Sequence, residues 1–280
     1  MRSDGSAALV HHELRAKKGA FVDLWHLSNL HSLFVVCLFI LHFPCFILHL
    51  HAQVGEYRSD LAVGVNGGYI LSNVGFTPTV PQRLHGGITG GFTARYVCEK
   101  YFNTICSVYA EVNYASLGWK EKILDTKDQP VINTYTGLAE EYSRTVDYIQ
   151  LPIFAHLAWG REHRGMQFFF QAGPQFGFYL RESTNSNFDF TKKNLKDRIN
   201  KTYAQDSMSV QHHFDYGIAV GAGLEYSIPK LGHFLLEGRY YYGLGNIYGD
   251  SKRDYFSKSN FGNIVIKMTY LFDIFRTKKE

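Results

Sequence analysis

The stretch HFDYGIAVGAGLEY, His213–Tyr226, decides the fold, because two chemistries alternate along its whole length. Its even-numbered positions are apolar or aromatic from Tyr216 on: Tyr216, Ile218, Val220, Ala222, Leu224 and Tyr226. Its odd-numbered positions are small or acidic from Asp215 on: Asp215, Gly217, Ala219, Gly221, Gly223 and Glu225. Strict alternation predicts a β-strand with two different faces. This strand is longer than the roughly 5–6 residues of a common strand.

Seven more segments show the same alternation. The eight predicted strands cover about 60–72, 86–98, 105–117, 145–159, 166–180, 213–227, 233–245 and 260–273. Connections after the second, fourth and sixth strands are short, whereas the other connections are longer and polar. Short turns on one side and long loops on the other are typical of outer-membrane barrels. We therefore expect an all-β fold, an antiparallel transmembrane β-barrel of about eight strands, or of ten strands if Asn187–Val210 contains a hairpin.

The two faces of these strands differ in a way that indicates which face is inside. One face is continuous and apolar, and on several strands it ends in Tyr, Phe or Trp, as aromatic girdles do. The other face is rich in Gly, Ala, Gln, Asn and Thr and poor in Lys, unlike the outside of a soluble barrel. We therefore place the apolar face toward lipid and the polar face in the interior.

The predicted interior contains as many positive as negative charges. On the polar face, in the middle of the strands, lie six charged residues: Arg95, Glu111, Glu225, Glu237, Arg239 and Lys267. An eight-stranded barrel is just wide enough to be filled by its own side chains. Unpaired charges there would be costly, so we expect these side chains to pair. The expected result is a plugged interior, in which Gly221 and Gly223 leave room for long neighbouring side chains.

The first part of the chain has a different composition. LFVVCLFIL, Leu33–Leu41, is an unbroken apolar run that follows basic residues and precedes Ala52, a suitable residue at a cleavage site. This layout predicts a signal peptide over residues 1–52, with an n-region so long that we expect the true start downstream of Met1. The run is shorter than the roughly 20 residues of a membrane-spanning helix. Residues 53–280 form the expected barrel domain.

Two cysteines remain after the predicted signal peptide. Cys98 and Cys106 flank Phe102 symmetrically in the turn between the second and third strands. Both have the parity of the outer face, and an exported protein meets an oxidising compartment. We therefore expect a disulfide between them, with two free thiols as the alternative.

Motifs for catalysis or cofactor binding are sparse. The sequence has no HExxH, CxxC or GxSxG motif, and no helix follows its glycine clusters. We therefore expect no enzymatic activity, no metal and no cofactor. A formal net charge of +4 is too small to indicate a nucleic-acid partner. The basic stretch Lys192–Lys201 could contact lipopolysaccharide, but a mobile solvated loop is the favoured interpretation. Ser209 with His212 at the outer rim is the pair that a lipid-modifying enzyme would use.

Four strands together carry a family resemblance. YIQLPIFAHLAW (Tyr148–Trp159), QAGPQFGFYL (Gln171–Leu180), DYGIAVGAGLEY (Asp215–Tyr226) and LEGRYYYGLGNI (Leu236–Ile247) resemble strands of the PorT-like outer-membrane β-barrels of Gram-negative bacteria. The resemblance covers about residues 61–275. It implies a barrel fold, and the namesake of the family takes part in protein export through the type IX secretion route.

These observations lead to one main expectation of function. We expect a monomeric, plugged barrel in the cell outer membrane, with a structural or accessory role. Its expected partners are outer-membrane lipid, lipopolysaccharide and, as the resemblance implies, a protein of the secretion machinery. A narrow porin for small solutes and a rim-located lipid-modifying enzyme are the alternatives.

Overall fold

The structure is a computed structural model that describes residues 56–162 and 164–276. The predicted signal peptide therefore lies outside the described residues. Within them the strands are β1 (Glu56–Thr77), β2 (Gln82–Arg83), β3 (His85–Tyr101), β4 (Thr104–Glu121), β5 (Tyr142–Gly160), β6 (Gly165–Ser186), β7 (Phe214–Ile228), β8 (Gly232–Gly243) and β9 (Lys258–Phe275). A 3₁₀ turn covers Ala204–Asp206. No helix in the described ranges is long and apolar enough to cross a membrane.

Eight of these strands close into an antiparallel barrel. The pairing order is β3, β1, β9, β8, β7, β6, β5 and β4, and β4 pairs again with β3. The short strand β2 pairs with the end of β4 and adds nothing to the closed circle. All eight predicted strands are confirmed. The ten-stranded alternative is wrong, because the connection from β6 to β7 contains the 3₁₀ turn and no hairpin.

The connections between strands separate the barrel into two ends. At one end the chain turns within 102–103, 161–164 and 229–231, and Phe102 and Lys230 adopt positive φ angles of 50° and 67° there. At the other end the connections are 78–84, 122–141, 187–213 and 244–257. Outer-membrane barrels have their short turns in the periplasm and their long loops outside the cell. The long-loop end is therefore the extracellular end.

The middle of the outer wall is apolar, as the alternation predicts. Outward side chains on every strand of the barrel are large, apolar and more than 40% exposed, among them Val65, Phe92, Val112, Ile153, Phe168, Ile218, Leu236 and Ile266. Their neighbours along each strand point inward and are buried. A belt of exposed apolar side chains around a closed barrel is the surface that a bilayer covers.

The chemistry of the two faces reverses toward the extracellular end, although the backbone alternation continues. On β1 the inward residues change from Asn66 to Val74 and Phe76, and the outward residues change from Val65 to Asn73. Strands β4 and β5 reverse in the same way. The upper part of the barrel therefore has the apolar interior and polar exterior of a water-soluble protein. The strands β1, β4, β5 and β6 extend three to six residues beyond their predicted extracellular ends, where this reversal interrupts the predicted pattern.

Glycines on β7 make room for neighbouring strands. A Cβ atom on Gly223 would lie 2.1 Å from the carbonyl oxygen of Leu236 and 2.6 Å from the ring of Phe169. A Cβ atom on Gly221 would lie 2.8 Å from Oε1 of Glu237. The glycines of the opening stretch therefore lie at close approaches to large side chains and backbone.

The expected disulfide between Cys98 and Cys106 is not formed in the structure, where both residues are free thiols. The register of β3 against β4 shifts between Val97 and Glu99, so that Glu99 lies opposite Cys106. Symmetry about the turn suggested a cross-strand pair, but the irregularity at Cys98 moves this residue out of register.

Candidate functional site

The centre of the barrel holds four of the six charged residues expected inside. Arg239 on β8 donates from Nη1 to Oε2 of Glu111 on β4 at 3.0 Å, and from Nε to Oε1 of Glu237 at 2.7 Å. Lys267 on β9 pairs with Glu111 and lies 3.6 Å from Oε2 of Glu237. Because β4 and β8 are opposite each other in the circle, the Arg239–Glu111 pair spans the lumen. We call these four residues the central network.

Polar and aromatic neighbours complete the central network. Gln171 donates to Oε1 of Glu237 at 2.6 Å, and Asn113 donates to Oε2 of Glu111 at 2.7 Å. The guanidinium of Arg239 lies over the ring of Phe154, 4.5 Å from its centroid. Buried charges are tolerated when their remaining hydrogen-bonding groups are satisfied in this way. The network therefore combines ionic pairing with tight packing across the whole lumen.

The other two expected charges meet nearer the periplasmic end. Arg95 on β3 donates from Nη1 to Oε2 of Glu225 on β7 at 2.7 Å, again between opposite strands. His233 lies with Nδ1 2.6 Å from Oε1 of Glu225 and with Nε2 3.2 Å from Oδ1 of Asp273. We call these four residues the lower network. Its cavity measures about 30 Å³.

Sequence reasoning missed His233 and Asp273, although both have the inward parity of their strands. Odd or even position along a strand predicts whether a side chain points inward. It does not predict which residue of the opposite strand lies at the same height in the barrel, because this depends on the stagger of the strands. Ser227 lies 2.8 Å from Nδ1 of His233 and extends the lower network. Ser227 is only 2% exposed, and Glu225 lies against the same nitrogen of the imidazole. The hydroxyl group of Ser227 is therefore not accessible to a substrate.

Above the networks an aromatic cluster closes the extracellular part of the barrel. The ring centroid of Phe76 lies 4.8 Å from that of Phe256 and 5.5 Å from that of Trp119. Tyr248 stacks on Phe256, with 5.6 Å between the two ring centroids. All four side chains are buried. Phe256 and Tyr248 come from the connection after β8, so this loop packs into the mouth of the barrel.

The longest loop, 187–213, is also fixed over the mouth. Arg198 donates from Nη2 and Nε to Oε2 of Glu140, at 2.8 and 3.0 Å, and both side chains are buried. Asn194 donates its backbone N–H to Oε1 of Glu140 at 2.7 Å. These bonds join the loop to the connection between β4 and β5. We call the aromatic cluster and these two bonded loops the cap.

The 3₁₀ turn of this loop is a part of the cap, and its residues Gln205 and Asp206 are buried. Gln205 donates to Oε1 of Glu121 at 2.7 Å, and Lys193 donates to Oδ2 of Asp206 at 3.1 Å. Glu121 ends β4, seven residues beyond the last outward aromatic residue of that strand, Tyr114, and thus lies outside the lipid-facing belt. Burial, reinforced by the nearby charge of Asp206, raises the pKa of Glu121 to about 8.

The favoured interpretation of Lys192–Lys201 as a mobile solvated loop needs correction for two of its residues. Arg198 is buried in an ion pair with Glu140, and the half-buried Lys193 pairs with the buried carboxylate of Asp206. A run of basic residues resembles a solvated loop when the acids that neutralise it are distant in the sequence. The pair Ser209 and His212, considered for a lipid-modifying enzyme, is not hydrogen-bonded, and Nδ1 of His212 lies 2.9 Å from the carbonyl oxygen of Asn246.

Comparison with known families identifies the class of this barrel. The family model described as outer membrane protein beta-barrel domain matches residues 51–249. The chain belongs to the outer membrane protein beta-barrel domain family. Its place is therefore the cell outer membrane, as the apolar belt of the wall predicts. No curated protein matches the chain.

Three solved structures are similar to this chain. Neisserial surface protein A is 12% identical with a TM-score of 0.35, and the match covers 78% of this chain and 100% of that one. OprG of Pseudomonas aeruginosa is 10% identical with a TM-score of 0.36, covering 78% and 98%. The attachment invasion locus protein Ail of Yersinia pestis is 13% identical with a TM-score of 0.28, covering 78% and 99%.

Proposed function

We propose that this outer-membrane barrel is a closed scaffold that presents its folded cap to a protein partner outside the cell. The observation that carries the proposal is the double closure of the lumen. The central network crosses the barrel between opposite strands, and the cap fills the mouth above it. A barrel with this interior supports its loops and does not conduct solutes.

The dimensions of the interior favour the scaffold over a narrow porin. The cavity beside the lower network, about 30 Å³, has room for about two water molecules. Opening a path past the central network would leave Glu111 or Arg239 buried without its partner, which is strongly unfavourable. The paired charges therefore act as a permanent plug.

Single-channel recording tests the closed state. The purified protein is inserted into a planar bilayer, and a porin inserted under the same conditions is the control. We expect no steady current from the wild-type barrel. A large and steady current would overturn the proposal in favour of a porin.

The cap offers side chains on which a partner could dock. On the loop between β4 and β5, Tyr135 is 73% exposed and Leu138 is 61% exposed. Larger exposed apolar patches mark protein-interaction sites, and we propose that these two side chains belong to one. The resemblance to PorT-like barrels makes a component of the secretion machinery the first partner to test.

Site-specific cross-linking tests the partner. A photoreactive residue at Tyr135 is expected to capture a protein in intact cells, whereas the same residue at outward-facing Phe92 on the lipid belt captures none. Identical cross-linking patterns at both positions would contradict docking on the cap. Capture of a protein unrelated to secretion would support the scaffold and refute the secretion link.

The proposal includes no enzymatic activity. The mass spectrum of lipid A from a deletion strain is therefore expected to match that of the parent strain. A modified form that disappears on deletion and returns on complementation would establish a lipid-modifying enzyme instead.

A further inference from the structure

A groove of about 720 Å³ opens on the outer wall at the extracellular end. We call it the rim groove. Its floor consists of the outward rings of Phe178, Phe214 and Tyr216, on β6 and β7. Its polar side is formed by the two loops above them and includes His212 and Asp250. The groove thus has an apolar lower part and a polar upper part, at the height where the wall leaves the lipid.

Backbone hydrogen bonds fix the shape of the rim groove. The carbonyl oxygen of Tyr216 accepts from the N–H groups of Leu244 at 2.8 Å and Gly245 at 3.1 Å. The carbonyl oxygen of Ile247 accepts from the N–H groups of Gln211 at 2.9 Å and His212 at 3.1 Å. These bonds hold the loop before β7 against the loop after β8. The groove is therefore formed before any ligand arrives, as most ligand sites are.

The side chains of the rim groove match a sugar joined to an acyl chain. The ring centroid of Phe214 lies 5.4 Å from that of Phe178 and 6.0 Å from that of Tyr216. The three rings therefore form a continuous aromatic floor. At the polar side the amide of Asn246 donates to Oδ2 of Asp250 at 3.0 Å and orients this carboxylate. A carboxylate accepts hydrogen bonds from hydroxyl groups, whereas an imidazole and an amide both donate to them and accept from them.

We propose that the rim groove binds the lipopolysaccharide of the outer leaflet, with an acyl chain on the aromatic floor and a head-group sugar against His212 and Asp250. The floor continues downward into the lipid-facing wall at Ile218, which is 53% exposed, so an acyl chain reaches it without leaving the bilayer. The carboxylate of Asp250 repels phosphate, and an uncharged part of the head group therefore occupies the polar side. This binding site is independent of the proposed scaffold role.

Retention of lipopolysaccharide by the purified protein tests the site. After exchange into detergent, native mass spectrometry counts the molecules that remain bound. We expect one retained molecule on the wild type, and retention lowered about fivefold by each lost sugar contact in His212→Ala and Asp250→Ala. Tyr216→Ala is expected to lower retention as well, because it shortens the aromatic floor.

Tyr69→Ala is the matched control. Tyr69 is an outward tyrosine of similar exposure on β1, 52% against 45% for Tyr216, and it lies outside the rim groove. Heat-modifiable gel mobility checks that each variant folds. Leu244→Trp, which fills the groove, provides a second test if an alanine variant does not fold. Equal retention by the control and the groove variants would overturn the proposal.

A second arm separates the glycolipid from a free saccharide. Lipid-free core oligosaccharide is titrated into the protein that has been stripped of lipid, and intact lipopolysaccharide is titrated in parallel. We expect the intact molecule to bind at least tenfold more tightly, because burial of the acyl chain adds to the sugar contacts. Equal affinities would overturn the glycolipid site and indicate a site for free saccharides.

Discussion

Arg239 connects the two sides of the lumen. Its guanidinium contacts carboxylates from two strands and stacks on Phe154, while Lys267 supplies the second positive charge to the same carboxylates. A guanidinium suits this position because its planar array of donors contacts several oxygens at once. Removing one member of such a network leaves the others buried without compensation.

Replacing this side chain is expected to destabilise the barrel strongly. Arg239→Met leaves Glu111 and Glu237 with one cation between them, at a cost of about 3–5 kcal/mol in the free energy of unfolding. Urea unfolding of the protein refolded in lipid vesicles measures this difference. Lys258→Met, at an exposed lysine, is the control and is expected to change stability by less than about 1 kcal/mol. Similar losses for the two variants would contradict the ionic plug.

Glu121 gives the cap a dependence on pH. Its raised pKa means that the folded protein binds more protons than the unfolded chain between pH 4.5 and about 8. Stability therefore falls as the pH rises through this window, because the carboxylate ionises while buried near Asp206. Glu121→Gln keeps an acceptor for Gln205 and removes the titration.

The expected result is a melting temperature of the wild type that drops by a few degrees between pH 5 and pH 9, and one of Glu121→Gln that drops less. Fluorescence of Trp119, which is buried in the cap, reports the transition. Parallel curves for the two proteins would show that another group is responsible for the pH dependence.

At the scale of the element, strand β7 shows how glycine allows a barrel of this size to close. Its inward glycines lie against the ring of Phe169, the backbone of β8 and the side chain of Glu237. A strand with larger inward residues could not approach its neighbours as closely. The inward glycines of β7 therefore provide the space that the side chains of Phe169 and Glu237 occupy.

Two glycine-to-alanine substitutions distinguish the effect of close packing from the effect of backbone entropy. Gly223→Ala would push Cβ against a backbone oxygen and a buried ring, and we expect it to lower the free energy of unfolding by about 1–3 kcal/mol. Gly238→Ala on β8 is the control, since its Cβ would meet no atom within 4 Å. Equal effects of the two substitutions would show that backbone entropy, not packing, determines the choice of glycine.

Alternation along the strands was sufficient to predict the eight barrel strands, their two faces within the lipid-facing belt and the six inward charged residues. Glu225 points inward and meets Arg95, which is one of the three partners that parity allows. The choice among those partners could not be predicted, because pairs across the lumen depend on the stagger of strands that are not neighbours. The burial of Arg198 was also hidden, since its partner Glu140 is far away in the sequence.

For the whole molecule, the lumen is closed by two structures that do not depend on each other. The cap is built largely from loops, whereas the central network is built from strands that remain when the loops are removed. Deletion of the long loop is therefore expected to change the cap without opening the lumen.

Replacing residues 188–210 with a short Gly-Ser linker is expected to leave the barrel folded and without steady current, because the central network still fills the lumen. The same change removes the carbonyl oxygens of Met208 and Asp206, which accept from the guanidinium of Arg144. Because Arg144 lies over the ring of Trp119, the emission of Trp119 is expected to shift toward longer wavelengths. Planar-bilayer recording and fluorescence measure the two effects. A conducting variant would show that the loop, and not the charged plug, seals the barrel.

The reversal of chemistry along the strands fixes how far the barrel stands above the lipid. On β1 the polar outer surface runs from Asn73 to Thr77, a length of about 16 Å along the strand. With the usual tilt of barrel strands this corresponds to a height of about 12 Å. On the side of the barrel that contains β1, a protein that approaches from outside therefore meets the loops well above the lipid surface.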